Sequence, residues 1–324
     1  MYIILILSAV FTSGCDRVTS SVDTADDGLP PAVPSGLGVY AANDGIIIIR
    51  WDDNYEPDLE GYTIFRSVGD SLNFSEVSFS SVSHYTDDSL DYDKKYYYRI
   101  SAKDIYGRQS LQSQSVSAEP KNKYPPAQVR QLYCYGRNWP DSLAVLLEWE
   151  RNYYPDIKEY LIYRSESADF TLDTTSFLGV SGVNSYIDRV HLKTNLTYYY
   201  KVLARDRAGL TGKSSSEASA VIYATAEAVE PSDGSTTGRF EQFVFKSVGV
   251  PARYRVVLQS NEYFEDVWTS DISVEDTSGV VSVQFNSYIL RSGRTYYWRV
   301  ITFNPGSDEP NSISRLYRFY FKAE

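Results

Sequence analysis

The chain has 324 residues, room for two or three domains, and its 15% aromatic content with 23% charged residues excludes a disordered polypeptide. A net charge of −11 excludes the basic stripe that a nucleic-acid surface needs. With two cysteines, Cys15 and Cys134, a disulfide framework is excluded as well.

Residues 2–13 are almost all apolar or small, too short a run to span a bilayer but suited to a secretory core. They lead into Thr12-Ser13-Gly14-Cys15, which resembles a bacterial lipobox. The resemblance implies a signal peptide over residues 1–14 and lipid modification of Cys15. It also implies anchoring to a membrane of the bacterial cell envelope, the outer membrane favoured. Residues 15–29 are rich in Ser, Thr, Asp and Gly and read as a flexible tether. Pro30-Pro31-Ala32-Val33-Pro34 then stiffens the chain ahead of the first domain.

From here the pattern is all-β: short apolar runs in period two, separated by Gly, Pro, Asn, Asp and Ser. Ile46–Ile49 close on Trp51, and eleven residues later Tyr62 opens Tyr62-Thr63-Ile64-Phe65. The same sequence of events recurs at an offset of 98: Trp149 for Trp51, Pro155 for Pro57, Asp156 for Asp58, Tyr160 for Tyr62 and Arg164 for Arg66. A second motif occurs three times, as Tyr96-Tyr97-Tyr98-Arg99-Ile100, Tyr198-Tyr199-Tyr200-Lys201-Val202 and Tyr296-Tyr297-Trp298-Arg299-Val300. Each copy follows a leucine by six residues: Leu90, Leu192 and Leu290. Aromatic and β-branched residues suit a pleated, half-buried surface, so this is a strand. Alternation sets Tyr96, Tyr98, Ile100 and Ala102 on one face and Tyr97 with Arg99 on the other.

Proline-rich entry, a Trp-closed strand, a Tyr-opened strand and Leu-x5-Tyr together resemble the fibronectin type III domain, over about residues 30–120 and 124–224. The resemblance implies tandem immunoglobulin-like β-sandwiches of seven strands. Trp51 and Trp149 would plug the cores, and Tyr96 and Tyr198 would form tyrosine corners. Residues 226–324 keep Leu290-x5-Tyr296 but have no early Trp; Phe240, Phe243 and Phe245 take that place. This third segment resembles a divergent fibronectin type III or immunoglobulin-like sandwich. Its last strand is expected within Arg315–Lys322.

The chemistry-bearing motifs are sparse. The only histidines are His84 and His191, and there is no phosphate loop, nucleophile elbow or Cys-x-x-Cys. The expectation is a non-enzyme with no cofactor and no metal. Asp52-Asp53-Asn54-Tyr55-Glu56-Pro57-Asp58 is the richest acidic stretch, but its second copy loses most of the acids, and Asp58 and Asp156 read as turn caps. Cys134 alternates with Leu132 and reads as a small buried hydrophobe. Tyr55, Trp139, Tyr153 and Tyr154 fall in predicted loops, where binding residues tend to lie. Flat aromatics there would contact a glycan or a protein partner in the envelope. A platform of Trp139, Tyr153 and Tyr154 is the feature expected of a glycan binder, as against a spacer or an accessory subunit of an envelope machine.

Overall fold

A computed structural model describes residues 26–323, apart from 141, 264 and 276–278. The expected signal peptide, Cys15 and most of the tether lie outside the described residues. The chain divides into two compact units, Met1–Lys123 and Tyr124–Glu324.

The first unit is one sandwich. Strands β1 (Gly38–Asn43), β2 (Ile46–Arg50) and β5 (His84–Asp87) form one sheet. Strands β3 (Leu59–Val68), β4 (Ser75–Ser80), β6 (Tyr96–Asp104) and β7 (Val116–Ala118) form the other, in the order β4-β3-β6-β7. This is the fibronectin type III arrangement. The tyrosine motif fills β6, and Tyr96, Tyr98, Ile100 and Ala102 are all buried, so the alternation read from sequence sets the core face. They pack against Ile47, Ile49 and Trp51 from the facing layer, and with Tyr62 and Ile64 of neighbouring β3. Trp51 meets Tyr62 edge-on, with ring centroids 5.1 Å apart.

The second unit holds two cores. In the first of them, β8 (Tyr133–Trp139), β9 (Ser142–Glu148) and β12 (Ser185–Asp188) face β11 (Phe177–Ser181), β10 (Ile157–Ser165), β13 (Thr197–Asp206) and β14 (Ala218–Val221). Trp149 sits on Tyr160 at the same 5.1 Å edge-on spacing. The second core lies between two further layers of strands. One is β15 (Glu227–Glu230), β17 (Gln242–Lys246) and β20 (Val280–Gln284). The other is built on β18 (Ala252–Gln259), β19 (Asp266–Val274), β21 (Arg294–Phe303), β22 (Pro310–Ile313) and β23 (Tyr317–Phe321). A short strand β16 (Ser235–Thr237) adds to β23 in parallel. The missing early Trp is replaced from two directions: Phe243 and Trp298 are both fully buried, 4.9 Å apart, with Phe285 and Trp268 against them.

Each sandwich is latched by the hydroxyl at the start of its tyrosine motif. Tyr96 accepts from the backbone N–H of Asp91 at 3.0 Å, Tyr198 from Lys193 at 2.8 Å and Tyr296 from Arg291 at 2.9 Å. A buried phenol thereby keeps a partner while its ring fills the core. Five residues of chain are closed into a tight corner by one side chain.

The two cores of the second unit are joined by more than a linker. Strand β22 bridges β8 in parallel at Ser312↔Asn138, making one continuous nine-stranded sheet. The connection itself is buried at Ala220, Ile222, Tyr223 and Ala226. Asn311, also buried, fastens it: Oδ1 accepts from Tyr223 N at 2.8 Å, and Nδ2 donates to Val221 O and to Asn304 Oδ1, both at 2.8 Å. Asn138 Nδ2 donates to Tyr223 O at 2.8 Å. Gly136 permits the approach, because a Cβ there would stand 2.1 Å from Val221 O.

Candidate functional site

The loops that leave β2 and β9 present aromatic side chains on a fixed frame. In the first sandwich, the loop after Trp51 is pinned at both ends. Asn54 N donates to the hydroxyl of buried Tyr62 at 2.8 Å, and Asn54 Nδ2 donates to Ala32 O at 3.0 Å. Ala32 N donates to Glu56 Oε1 at 2.6 Å, and Ser35 Oγ to Asp52 Oδ2 at 2.9 Å. The loop closes onto the next one through Ile105 N and Asp58 O, 2.9 Å apart. Burial works to raise the Glu56 carboxyl, but the bonds from Ala32 and Asn54 prevail and hold it below the ordinary carboxylate range. In this frame Tyr55 has nothing to do internally and stands 90% exposed, beside a shallow depression lined by Ala32, Val33, Trp51 and Asp52.

The second sandwich repeats the frame. Asn152 N donates to Tyr160 OH at 3.2 Å and Asn152 Nδ2 to Ala127 O at 2.9 Å. Arg207 N donates to Asp156 O at 2.9 Å, the counterpart of Ile105 and Asp58. Tyr153 is 83% exposed and Tyr154 is exposed beside it. Sequence reading found the three loop tyrosines but missed the asparagine–tyrosine locks that hold them. The signal was present, since Asn54/Asn152 and Tyr62/Tyr160 share the offset of 98. In the third sandwich the corresponding hydroxyl, Tyr254 OH, accepts from Val248 N at 3.0 Å, with no exposed aromatic in the loop that it ties.

Trp139 does not join this set. It is half-buried, donates from Nε1 to Pro310 O at 3.3 Å, and lies under the guanidinium of Arg137, whose Cζ is 4.7 Å from the ring centroid. It belongs to the joint within the second unit. It is also misplaced for a shared platform: it pairs with Ser142 at one end of the β8–β9 hairpin, whereas Tyr153 and Tyr154 follow Glu148 at the other end. At about 3.3 Å per strand residue the two ends are roughly 20 Å apart.

Two buried aspartates are engaged in structure. Asp87 accepts from Arg66 at 2.9 Å and from the Tyr98 hydroxyl at 2.7 Å. Asp188 accepts from Arg164 at 2.7 Å and from the Tyr200 hydroxyl at 2.8 Å. Burial, and then the adjoining aspartate, push both phenols upward. His84 and His191 are both exposed.

Cys134 lies on β8 opposite Leu147, and burial pushes its thiol up to about 12. The folded chain therefore keeps the proton that an unfolded chain would lose near pH 9.0. This preference is fully present below pH 9.0 and is lost as pH rises toward about 12. At pH 8–9 the native thiol is expected to react with a disulfide reagent at least about tenfold more slowly than in denaturant. Equal rates in the two states would show that β8 leaves the sulfur accessible.

No family model matches the sequence. A stretch of 107 residues is 28% identical to Exoglucanase B of Cellulomonas fimi; it covers 32% of this chain and spans 9% of that enzyme's length. Among solved structures, the chicken CNTN1 FN1–FN3 domains align over 90% of this chain and 98% of theirs, at 15% identity and a TM-score of 0.37.

Proposed function

We propose that this chain is a non-catalytic, lipid-anchored protein of the bacterial cell envelope, whose tandem sandwiches act as a spacer and interaction module. One observation carries the reading: Tyr55, Tyr153 and Tyr154 are exposed on loops whose backbones are pinned by buried hydroxyls and asparagine amides. A rigid aromatic contact loses little conformational entropy on binding, which is what makes tyrosine a good anchor. The anchor itself rests on Thr12-Ser13-Gly14-Cys15. The test is purification of the full chain from native membranes, with mass spectrometry of its N-terminal peptide and of co-purifying proteins. A lipidated Cys15 and a stoichiometric partner, lost on joint Tyr55→Ala and Tyr153→Ala substitution, are expected. An unmodified chain in the soluble fraction overturns the anchored reading.

The second reading is a carbohydrate-binding lipoprotein of a polysaccharide uptake or degradation system. What favours it is the 107-residue similarity to an exoglucanase, together with tyrosines that present a flat ring to solvent. Binding on a glycan array that falls at least about tenfold with Tyr153→Ala would select it over a protein partner; tenfold is about 1.4 kcal/mol, within the range of one lost aromatic anchor. Binding that is unchanged in this variant, or absent on every glycan, would reject it.

A further inference from the structure

At the loop end of the first sandwich, the segment that precedes it comes back against the fold. Asp26 and Asp27 each cap their own turn, with Gly28 N and Leu29 N donating to their Oδ1 atoms at 2.8 Å. Across from them is Asp58, in the pinned loop after β2. One carboxylate oxygen from each of these three residues lies within 4.8 Å of the others. Two oxygens bound to one Ca²⁺ at 2.3–2.6 Å can be up to about 5 Å apart, whereas the shorter bonds of Mg²⁺ allow only about 4 Å. A group gathered within the first limit can share a Ca²⁺, whose coordination also tolerates an irregular set of oxygens better than the octahedron that Mg²⁺ demands.

Charge and hydrogen bonding point the same way. Arg108 is the cation that pairs with this group: its Nε donates to Asp104 Oδ2 at 2.7 Å and its Nη2 to Asp26. Asp104 is buried as well, so one guanidinium serves three carboxylates, Asp26, Asp58 and Asp104, while Asp27 adds a fourth negative charge to the group. The hydrogen bonds of Arg108 end short of Asp58, whose Oδ2 is 3.8 Å from Nη2. That oxygen is buried and has no hydrogen-bond partner, in a residue only 6% exposed. A buried carboxylate oxygen without a donor is costly to keep. The same carboxyl group has an oxygen within 4.8 Å of one from Asp26 and one from Asp27, so a cation held among the three lies within its reach.

We propose that Asp26, Asp27 and Asp58 bind a divalent cation of the calcium class, which fastens the segment ahead of the first sandwich to its loop end. The three carboxylates supply part of the shell, and water completes the six to eight oxygens that such an ion takes. The second sandwich lacks the site. It keeps Asp156 and Asp206, but Lys121-Asn122-Lys123 stand where Asp26 and Asp27 would recur, and Leu210 stands in the place of Arg108. Sequence alone misses the grouping because Asp58 is 32 positions from Asp26, in a segment that reads as a tether.

The test is calorimetric titration of Ca²⁺ into the full chain, with thermal unfolding in about 5 mM CaCl2 against NaCl of equal ionic strength. Expected is one saturable site with a Kd of about 0.1–1 mM, the range of extracellular modules, and a calcium-dependent rise in the melting temperature that a chelator reverses. Asp27→Asn, on an exposed residue, is expected to fold normally and to weaken binding at least about tenfold; Asp58→Asn should do the same. Mg²⁺ should bind more weakly. No saturable heat and no shift beyond the NaCl control overturns the proposal, as does undiminished binding in Asp27→Asn.

Discussion

Replacing Asn311 with alanine is expected to uncouple the two cores of the second unit. In the native chain, β22 and the connection at residues 220–226 hold each other through one amide, and three hydrogen bonds of 2.8 Å meet at it. Alanine leaves the N–H of Tyr223 and the C=O of Val221 without that partner in a buried setting. Each such orphan costs about 1–3 kcal/mol, so the joint should lose roughly 2–6 kcal/mol. Calorimetry of the full chain is expected to show the second unit unfolding as one cooperative transition in the wild type, and as two in Asn311→Ala. Asn311→Asp should be at least as damaging despite its matching shape. It keeps the acceptor for Tyr223 N but turns a second oxygen toward Val221 O and Asn304 Oδ1, where a donor stood. Independent melting of the two sandwiches in the wild type, or a loss below about 0.5 kcal/mol in the variant, would mean that the linker alone sets the arrangement.

The joint also shows where sequence reading stops. Trp51, Trp149 and the tyrosine corners were legible because each recurs, at a fixed offset, in a motif whose spacing is local: five residues separate a corner hydroxyl from its donor. Asn311 occurs once, and its partners lie 88 and 90 positions back in the chain. No period or composition signal reaches that far. Trp139 was misread for the same reason. Between Asn138 and Pro140 it reads as a loop aromatic, but its indole finds Pro310 O at a separation of 171 residues. Tyr55, Tyr153 and Tyr154 were correctly placed in loops because their neighbours alone, Asn, Glu and Pro, end the strand. What fixes those loops, the hydroxyls of Tyr62 and Tyr160, again needed the fold. Repetition made the sandwiches legible; the contacts between and beneath them are singular and long-range.

Asp188→Ala is the second large effect expected, and its counterpart Asp87→Ala supplies the internal comparison. Both aspartates join a core tyrosine hydroxyl to an arginine from the neighbouring sheet, so both sandwiches use one carboxylate to tie their layers together. The difference is solvent. The Asp188 side chain is 0% exposed and that of Arg164 is 18% exposed, against 7% for Asp87 and 30% for Arg66. When the carboxylate is removed, the guanidinium and the phenol are left behind. Breaking a buried pair in this way costs about 3–5 kcal/mol, because a charge remains without its partner. Arg66 can recover hydration more easily than Arg164, so Asp87→Ala is expected to cost about 2 kcal/mol and Asp188→Ala about 3 kcal/mol or more. Denaturant unfolding of the full chain, followed through the transition of the sandwich concerned, measures both. The double change Asp188→Leu with Arg164→Met should recover much of the loss, since an apolar pair of similar volume carries no desolvation penalty. Equal costs at the two sites would show that hydration of the arginine does not set the energetics. A double variant no better than Asp188→Ala would show that the carboxylate matters chiefly to Tyr200, whose hydroxyl would still be stranded in the core.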